Sequence, residues 1–235
     1  MNIVAIIFFA ICLSVPPVFL EISFRQTSYY KQKKKGYFRT LQDKGSYGEY
    51  LIYKKLRVYE KTGARFIFNL YLPSQSKNVD ATEIDVVMIT TKGIYVFESK
   101  NYSGWIFGND KQKTWTQCLP QGKGKKALKE QFFNPVWQNN AHIKALHAVI
   151  KSNNIPTFSI ITFSDRCTLK EINLSSNNHW VVKRRDVPGV ARNIDCACPI
   201  VFDQNAVERL FVMLMPYSNV SDELKMQHIS QIKNL

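Results

Sequence analysis

Two apolar segments joined by a tight turn constrain the fold more than any other part of this sequence. The first runs over 84–89, the second over 94–100, and Thr-Thr-Lys-Gly lies between them. Both segments are rich in β-branched and aromatic residues, and a glycine closes the connection. The pattern predicts a β-hairpin, and with it a fold built around a β-sheet.

Charged residues interrupt this hairpin at Asp85, Glu98 and Lys100. Because side chains alternate along a strand, Glu98 and Lys100 share a face, and all three can converge at one end of the hairpin. Burial of such charges is costly unless they pair or bind a cation, so the trio favours a divalent-metal site. A salt-bridged surface hairpin is the alternative. Glu83 shares a face with Asp85 and is either an alternative ligand or a solvated acid at the strand edge.

Composition restricts the partners and the compartment. The chain has 235 residues, of which 45% are hydrophobic, so it can bury one sizeable core and is not a disordered chain. Thirty-two Lys and Arg against 18 Asp and Glu give a net charge of +14, which favours nucleic acid or an anionic membrane face. Five scattered cysteines argue against a secreted disulfide scaffold. Their spacing matches no standard zinc-ligand pattern.

Several short motifs, in a fixed order, carry a family resemblance. They are Gly-Ser-Tyr-Gly-Glu at 45–49, Glu-Ile-Asp-Val-Val at 83–87, Gly-Ile-Tyr-Val-Phe-Glu-Ser-Lys-Asn at 93–101, Gly-Trp-Ile-Phe-Gly at 104–108 and Asn-Pro-Val-Trp-Gln-Asn at 134–139. In these stretches the sequence resembles the nuclease-related domain (NERD) family of the PD-(D/E)xK restriction-endonuclease-like superfamily. The resemblance covers residues 45 to about 150.

The resemblance implies an α/β fold with a restriction-endonuclease-like mixed β-sheet core flanked by helices. It also implies metal-dependent hydrolysis of phosphodiester bonds in nucleic acid, with DNA favoured. By resemblance, Asp85 and Glu98 hold Mg²⁺ or Mn²⁺, Lys100 positions or activates the attacking water, and Glu49 and Gln138 complete the site. The alternative from another class is a catalytically silent nucleic-acid-binding or membrane scaffold, or a sensor, that retains the fold.

Two of the candidate residues have competing interpretations. Ser46 and Glu49 form a capping-box pattern at the start of a helix predicted over about 46–60, so Glu49 either caps that helix or joins the acidic site. His142 lies four residues after Gln138 on the helix that begins after Asn134. It stands where related nucleases have an aromatic residue, and an ordinary half-buried histidine is the alternative to a catalytic base.

Between residues 105 and 134 the chain becomes polar and basic. This stretch lacks the spacing and the hydroxyl of a phosphate-binding P-loop. We predict a mobile basic loop in which Lys123, Lys125 and Lys126 contact a nucleic-acid backbone. A solvated insertion without function is the alternative.

The N-terminal segment 3–20 carries no charge and is about long enough to span a membrane. Its proline pair weakens a helix, and a cleaved signal peptide or a buried helix is the alternative, but a basic n-region and a small-x-small cleavage site are missing. Basic residues within 25–39 place the following part in the cytoplasm. The predicted organisation is a single-pass membrane anchor at 1–24, a basic juxtamembrane linker at 25–40, a nuclease core at 41–160 and its C-terminal completion at 161–235.

Further elements follow from local patterns. We predict strands over 64–72, 157–163, 179–182 and 199–202, a helix over 203–214 and a short capped helix from residue 221.

Overall fold

Two mixed β-sheets flanked by helices make up the structure, a computed structural model that describes residues 16–75, 79–122 and 124–233. The larger sheet has the strand order β1-β2-β3-β7-β9, with bounds Arg65–Pro73, Ala81–Thr90, Gly93–Lys100, Thr157–Phe163 and His179–Lys183. The smaller sheet has the order β6-β5-β4-β8, with bounds Leu128–Phe133, Thr114–Leu119, Gly104–Asn109 and Cys167–Asn173.

Eight helices surround the sheets in the described residues. They are α1 (16–25), α2 (Ser28–Lys33), α3 (Tyr37–Gln42), α4 (Lys44–Leu56), α5 (Pro135–Ile150), α6 (Val187–Ala197), α7 (Gln204–Leu214) and α8 (Asp222–Lys233). Short 3₁₀ turns occupy Arg57–Thr62, Arg184–Asp186 and Met215–Ser218.

The predicted hairpin is confirmed and forms the centre of the larger sheet. Strands β2 and β3 are antiparallel, and β3, β7 and β9 run parallel to one another. On one face, α4 and α6 pack against a cluster that includes Val86, Met88, Tyr95 and Phe97. On the other face, α5 and α7 pack against Val87, Ile89, Ile94 and Val96. Burial of each such side chain contributes roughly 1.5–3 kcal/mol, which explains why the two strands are apolar over 86–89 and 94–97.

The segment expected to be a basic linker, 25–40, is largely helical and belongs to the core. The Tyr29 ring of α2 is buried against Phe68, with ring centroids 4.8 Å apart. The Gln32 side-chain amide donates to Phe66 O (2.7 Å) and accepts from Phe68 N (3.3 Å). Gln32 thereby satisfies backbone groups on the free edge of β1, an edge that would otherwise be open to pairing with another chain.

The predicted membrane anchor lies mostly outside the described residues. Of the run 3–20, the structure describes only 16–20, which begin α1. Among the described residues, no helix has both the length and the apolar character needed to cross a membrane.

The predicted mobile loop between 105 and 134 is wrong, because most of it forms three strands of the smaller sheet, β4 to β6. The polar residues mislead because β6 is largely exposed and β5 alternates between buried and partly exposed positions. Trp115 of β5 is fully buried and stacks on Phe163 of the larger sheet at 6.1 Å. Lys125 and Lys126 lie exposed in the short β5–β6 connection, and Lys123 is outside the described residues.

Other predicted elements have mixed outcomes. The strands over 157–163 and 179–182 and the helix that Asp203 caps are confirmed. The strand over 199–202 is wrong: this segment pairs with no strand of the described chain, and the N–H groups of Val201 and Phe202 both donate to Thr91 O. These two hydrogen bonds to one carbonyl oxygen hold the segment in place as a loop, without strand pairing.

A glycine pair tests the packing of the smaller sheet. Gly108→Ala should lower the free energy of unfolding by about 1–3 kcal/mol, because a Cβ there would lie 2.2 Å from the buried Trp115 ring. Gly189→Ala is the control, because no heavy atom lies within 4 Å of its Cβ position within α6, and it should raise stability by up to about 1 kcal/mol. Urea unfolding measures both, and equal losses would contradict the predicted clash.

Candidate active site

The candidate site forms where β2 separates from β3. Antiparallel pairing between these strands ends at Val86 and Phe97, one residue short of Asp85 and Glu98. Asp85 Oδ2 instead accepts a hydrogen bond from Ser99 N (2.7 Å). Strand β3 continues alongside β7 through Lys100. The parting strands thus leave room for polar side chains inside an apolar sheet.

A backbone break at Asn69 of β1 lies beside this gap. Asn69 has φ 51°, and the β1–β2 pairing passes from Phe68 with Val86 to Leu70 with Ile84, so that neither Asn69 nor Asp85 has a ladder partner. Asparagine tolerates this left-handed conformation better than apolar residues do. The break also switches faces, because Phe68 packs with the α4 cluster and Leu70 with the α5 cluster.

The Asn69 side chain joins three charged residues. Its Nδ2 donates to Glu83 Oε1 (2.7 Å) and Glu49 Oε1 (3.1 Å), and its Oδ1 accepts from Lys33 Nζ. Neither Asn69 nor Lys33 was among the predicted site residues. The signal that could have found Asn69 is a single amide in the middle of the apolar strand Phe-Ile-Phe-Asn-Leu-Tyr-Leu.

Glu49 does not cap its helix, so the predicted capping box is wrong. Asp43 is the N-cap of α4 and accepts from the N–H groups of Gly45 and Ser46, and the helix begins at Lys44. Glu49 is buried and turns its carboxylate to Asn69 and to the Tyr29 hydroxyl. With the cap supplied by Asp43, the Glu49 carboxylate is available to the site.

Gly48 explains how α4 comes close enough. A Cβ at this position would lie 2.7 Å from Ser99 Oγ of β3, so any larger residue would have to displace that hydroxyl or the helix. The Gly-Glu pair therefore works as a unit, in which Gly48 permits the contact and Glu49 delivers the carboxylate.

Two side chains of α5 hold the charged pair of β3. Glu98 Oε1 lies 2.7 Å from Lys100 Nζ, and Glu98 Oε2 lies 3.0 Å from His142 Nε2. The other ring nitrogen of His142 lies 2.7 Å from Thr82 Oγ1. Lys100 Nζ also donates to Gln138 Oε1 (2.9 Å). His142 is fully buried rather than half-buried, and its contacts assign it to the positioning of Glu98.

The carboxyl groups of Asp85, Glu49 and Glu98 differ in how far nearby positive groups offset the effect of burial on their pKa. Burial, followed by the nearby Glu98 and Glu49 carboxylates, raises the pKa of Asp85 well above its ordinary value. Burial also raises the pKa of Glu49. Burial acts in the same direction on Glu98, but Lys100 and His142 outweigh it and lower the pKa of that carboxyl. The positive charges near Asp85 and Glu49 are therefore too weak to offset the burial and mutual repulsion of these two carboxylates.

In front of these groups lies a cavity of about 700 Å³, here called the acidic pocket, whose wall includes Glu49, Asn69, Glu83, Asp85 and Lys33. Glu98 and Lys100 do not line this cavity. The carboxylate oxygens that line the acidic pocket are the ligand atoms that hard divalent cations prefer. In the part of the chain that the structure describes, no three His, Cys, Asp or Glu side chains could hold a metal ion between them. The donor set fits an ion that takes its remaining ligands from water and substrate, as Mg²⁺ commonly does.

All five predicted catalytic residues meet in this region, whereas Lys125 and Lys126 do not. In the described residues, no hydrogen bond or ion pair joins either lysine to the five. They lie at the far hairpin of the smaller sheet, between β5 and β6.

A match to a protein family covers the same residues. The family model described as nuclease-related domain matches residues 44–164, more than half of the chain. This chain belongs to the nuclease-related domain family. The match spans α4 to the end of β7, so the nuclease-related domain contains the whole site except Lys33 and the pocket wall contributed by the C-terminal part.

Two individual proteins are similar to this nuclease-related domain protein. An uncharacterized protein of Bacillus anthracis, pXO1-01, is 27% identical over 191 residues, which are 81% of this chain and 84% of that protein. The crystal structure of the protein of unknown function AF1548 matches with a TM-score of 0.30 and 12% identity, over 78% of this chain and 97% of that one. That structural likeness is too weak to carry an argument.

The raised pKa of Asp85 makes a stability prediction. The folded protein binds this proton more tightly than the unfolded chain does, so the contribution of Asp85 to stability is lost as pH rises through its folded pKa. Asp85→Asn should therefore raise the free energy of unfolding at pH 7 in metal-free buffer by more than about 0.5 kcal/mol, and by less near pH 4. The exposed acid Glu171→Gln is the control and should change neither value. A destabilised Asp85→Asn would refute the predicted charge imbalance.

Proposed function

We propose that this protein is a metal-dependent nuclease that hydrolyses phosphodiester bonds in nucleic acid, with DNA as the favoured substrate. The observation that carries the proposal is the cluster of three carboxylates, in which Glu49 and Glu98 are buried and Asp85 is half-buried, with Lys100 held beside it. Buried acids that repel one another are retained at a cost, and a cation together with an anionic substrate would offset that cost. Membership of the nuclease-related family supports the same conclusion.

Asp85 and Glu98 would hold Mg²⁺ or Mn²⁺, and Glu49 would complete the acidic side. When bound, the ion would supply a Lewis acid that lowers the pKa of water and neutralises phosphate charge. Lys100, fixed by Glu98 and Gln138, keeps its proton because burial is outweighed by the Glu98 carboxylate, which raises its pKa. A protonated lysine there positions the attacking water and stabilises the negative charge that develops on the phosphate.

We assign the fold to the restriction-endonuclease-like architecture. The support is the placement of the site: a glutamate from the helix before β1, an acid in the middle of β2 where its pairing with β3 ends, Glu-x-Lys on β3 and a glutamine on the following helix. The two sheets and their flanking helices are compatible with that assignment.

A catalytically silent scaffold is the second candidate, and one observation favours it. Glu98 is 2% exposed, is already paired with Lys100 and lies within hydrogen-bond distance of His142, so the fold can keep this acid without a metal. The net charge of +14 and the exposed Lys125 and Lys126 would serve nucleic-acid binding in either case. Lys123 belongs to the same proposed contact.

Cleavage separates these two functions. Asp85→Asn, Glu98→Gln and Lys100→Ala should each lower metal-dependent cleavage at least about a hundredfold, which at 1.36 kcal/mol per tenfold is just under 3 kcal/mol of transition-state stabilisation. Cleavage of labelled single-stranded DNA, duplex DNA and RNA is measured with Mg²⁺ and with Mn²⁺. The exposed Lys61→Ala should cleave as wild type does. Wild-type protein that cleaves none of these substrates would favour the scaffold.

We further propose that the chain is anchored in the membrane with its globular part in the cytoplasm. The support is the uncharged run 3–20 and the apolar face that continues it, since Val18, Phe19 and Ile22 of α1 are each more than half exposed. Phe24 is buried, so α1 is tied to the globular part immediately after these residues. An exposed apolar helix leading into a basic segment suits a bilayer surface.

Deletion of residues 2–15 tests the anchor. The full chain should sediment with membranes and resist carbonate extraction, because about 18 apolar residues span a bilayer, whereas the deleted chain should be extracted. Phe24 and the core remain intact in both, which circular dichroism checks. Digestion of residues 45–235 by protease added outside intact cells would contradict the cytoplasmic placement.

A further inference from the structure

A second pocket, which the proposed reaction does not use, lies on the other side of the first turn of α4. Its volume is about 380 Å³, and its charged lining consists of Lys44, Arg166 and Arg184 with one acid, Asp165. We call it the basic pocket. Three positive groups against one negative group make it suited to an anion.

The basic pocket lies at a favourable place in the sheet. The parallel strands β3, β7 and β9 end at Lys100, Phe163 and Lys183, and the residue after each, Asn101, Ser164 and Arg184, lines the pocket. Ligands of open α/β sheets bind outside the carboxyl ends of such strands. The pocket is therefore built from the frame of the sheet rather than from loose surface side chains.

Arg184 is the main evidence for a ligand. The residue is 2% exposed, and its Nε and Nη2 atoms are buried without a hydrogen-bond partner in the described residues. Burial lowers the pKa of its guanidinium, with Asp165 acting in the opposite direction. The Ser99 hydroxyl is also buried without a partner, and both groups approach Gly48. Unsatisfied buried donors cost about 1–3 kcal/mol each, and more when charged, so their persistence calls for a ligand.

Two other charged groups of the basic pocket, Arg166 and Asp165, are already held in place. Arg166 Nη2 donates to Asn101 O (3.1 Å) and Oδ1 (3.2 Å), and Arg166 Nε donates to Ser164 Oγ (3.2 Å). Asp165 Oδ1 accepts a hydrogen bond from Arg185 N (2.8 Å), so one oxygen of this carboxylate already has a donor. Arg184 Nε and Nη2, by contrast, are buried without a hydrogen-bond partner among the described residues.

We propose that the basic pocket binds a phosphate group of the nucleic-acid strand whose neighbouring phosphodiester lies at the acidic pocket. Gly45 and Ser46 of α4 line the acidic pocket, while Lys44 and Tyr47 line the basic one, so a single helical turn separates the two. Arginine binds phosphate with two parallel N–H bonds, which the free Nε and Nη2 atoms can supply. That the bound phosphate belongs to a nucleic-acid strand rests on the proposed nuclease function, whereas phosphate binding by the basic pocket does not.

Inorganic phosphate is the first probe. The Tm of the full chain in EDTA is compared in sodium phosphate and in sodium chloride of equal ionic strength. Wild type and the exposed neighbour Arg185→Gln should be stabilised by phosphate, because a ligand of the folded state raises Tm, and Arg184→Gln should not. Without phosphate, Arg184→Gln should melt at or above the wild-type temperature, because it removes an unpartnered buried charge. A variant that melts lower and still responds to phosphate would overturn the proposal.

The second probe is a labelled single-stranded oligonucleotide, measured by fluorescence anisotropy in EDTA so that cleavage does not interfere. Arg184→Gln should weaken binding at least about tenfold and reduce the slope of log affinity against log salt by about 0.7, whereas Arg185→Gln should change affinity less than about twofold. If phosphate stabilisation is lost but oligonucleotide affinity is unchanged, the pocket takes a free phosphate, and the strand assignment is overturned.

Two further results keep the proposals separate. Wild-type protein that binds the oligonucleotide through Arg184 and cleaves nothing would refute the nuclease and leave the basic pocket standing. If Arg184→Gln does not fold, Lys44→Gln at the exposed mouth decides, because it should weaken phosphate and oligonucleotide binding about threefold or more. Wild-type affinity in that variant would overturn the proposal.

Discussion

The left-handed backbone at Asn69 is the constraint on which the site depends. It interrupts the ladder between β1 and β2 opposite Asp85 and turns the following residues of β1 to the other face of the sheet. At this interruption, the otherwise apolar sheet has one level at which polar side chains of neighbouring strands can lie together. There the Asn69 side-chain amide forms hydrogen bonds with Glu49, Glu83 and Lys33. The residue with the strained backbone is therefore also the residue that positions these three charged side chains.

The two halves of the acidic group are treated differently. Glu98 is paired inside the protein with Lys100 and contacts His142. Asp85 and Glu49 face a pocket, and neither forms an ion pair within the described residues, although Lys33 lies in the same pocket wall. A fold selected only for stability would replace Asp85 with a neutral residue. The same conflict appears at Arg184, a buried cation whose Nε and Nη2 atoms have no hydrogen-bond partner among the described residues.

Local signals in the sequence were sufficient for the β2–β3 hairpin and for α5, whose Asn134 cap and Pro135 start are strong. They also brought Asp85, Glu98 and Lys100 to one place, because the spacing within a strand determines which side chains share a face. Glu49 and Gln138 were predicted to join them only from the family resemblance. Asn69, Lys33 and the role of His142 escaped because their importance comes from partners distant in sequence. The smaller sheet escaped for a related reason: its half-exposed strands read as a polar loop until their pairing is known.

The groups around the acidic pocket come from positions spread along most of the chain. Lys33 precedes the first strand, Gln138 and His142 come from a helix past the middle, and Lys225 of α8 reaches the pocket wall from near the C-terminus. Contacts of such long sequence separation form late in folding, since loop closure must be paid for first. An incomplete chain, emerging from the ribosome or cut by a protease, therefore has the acids and the lysine without the geometry that joins them. Whatever chemistry this site performs is withheld until the fold is finished.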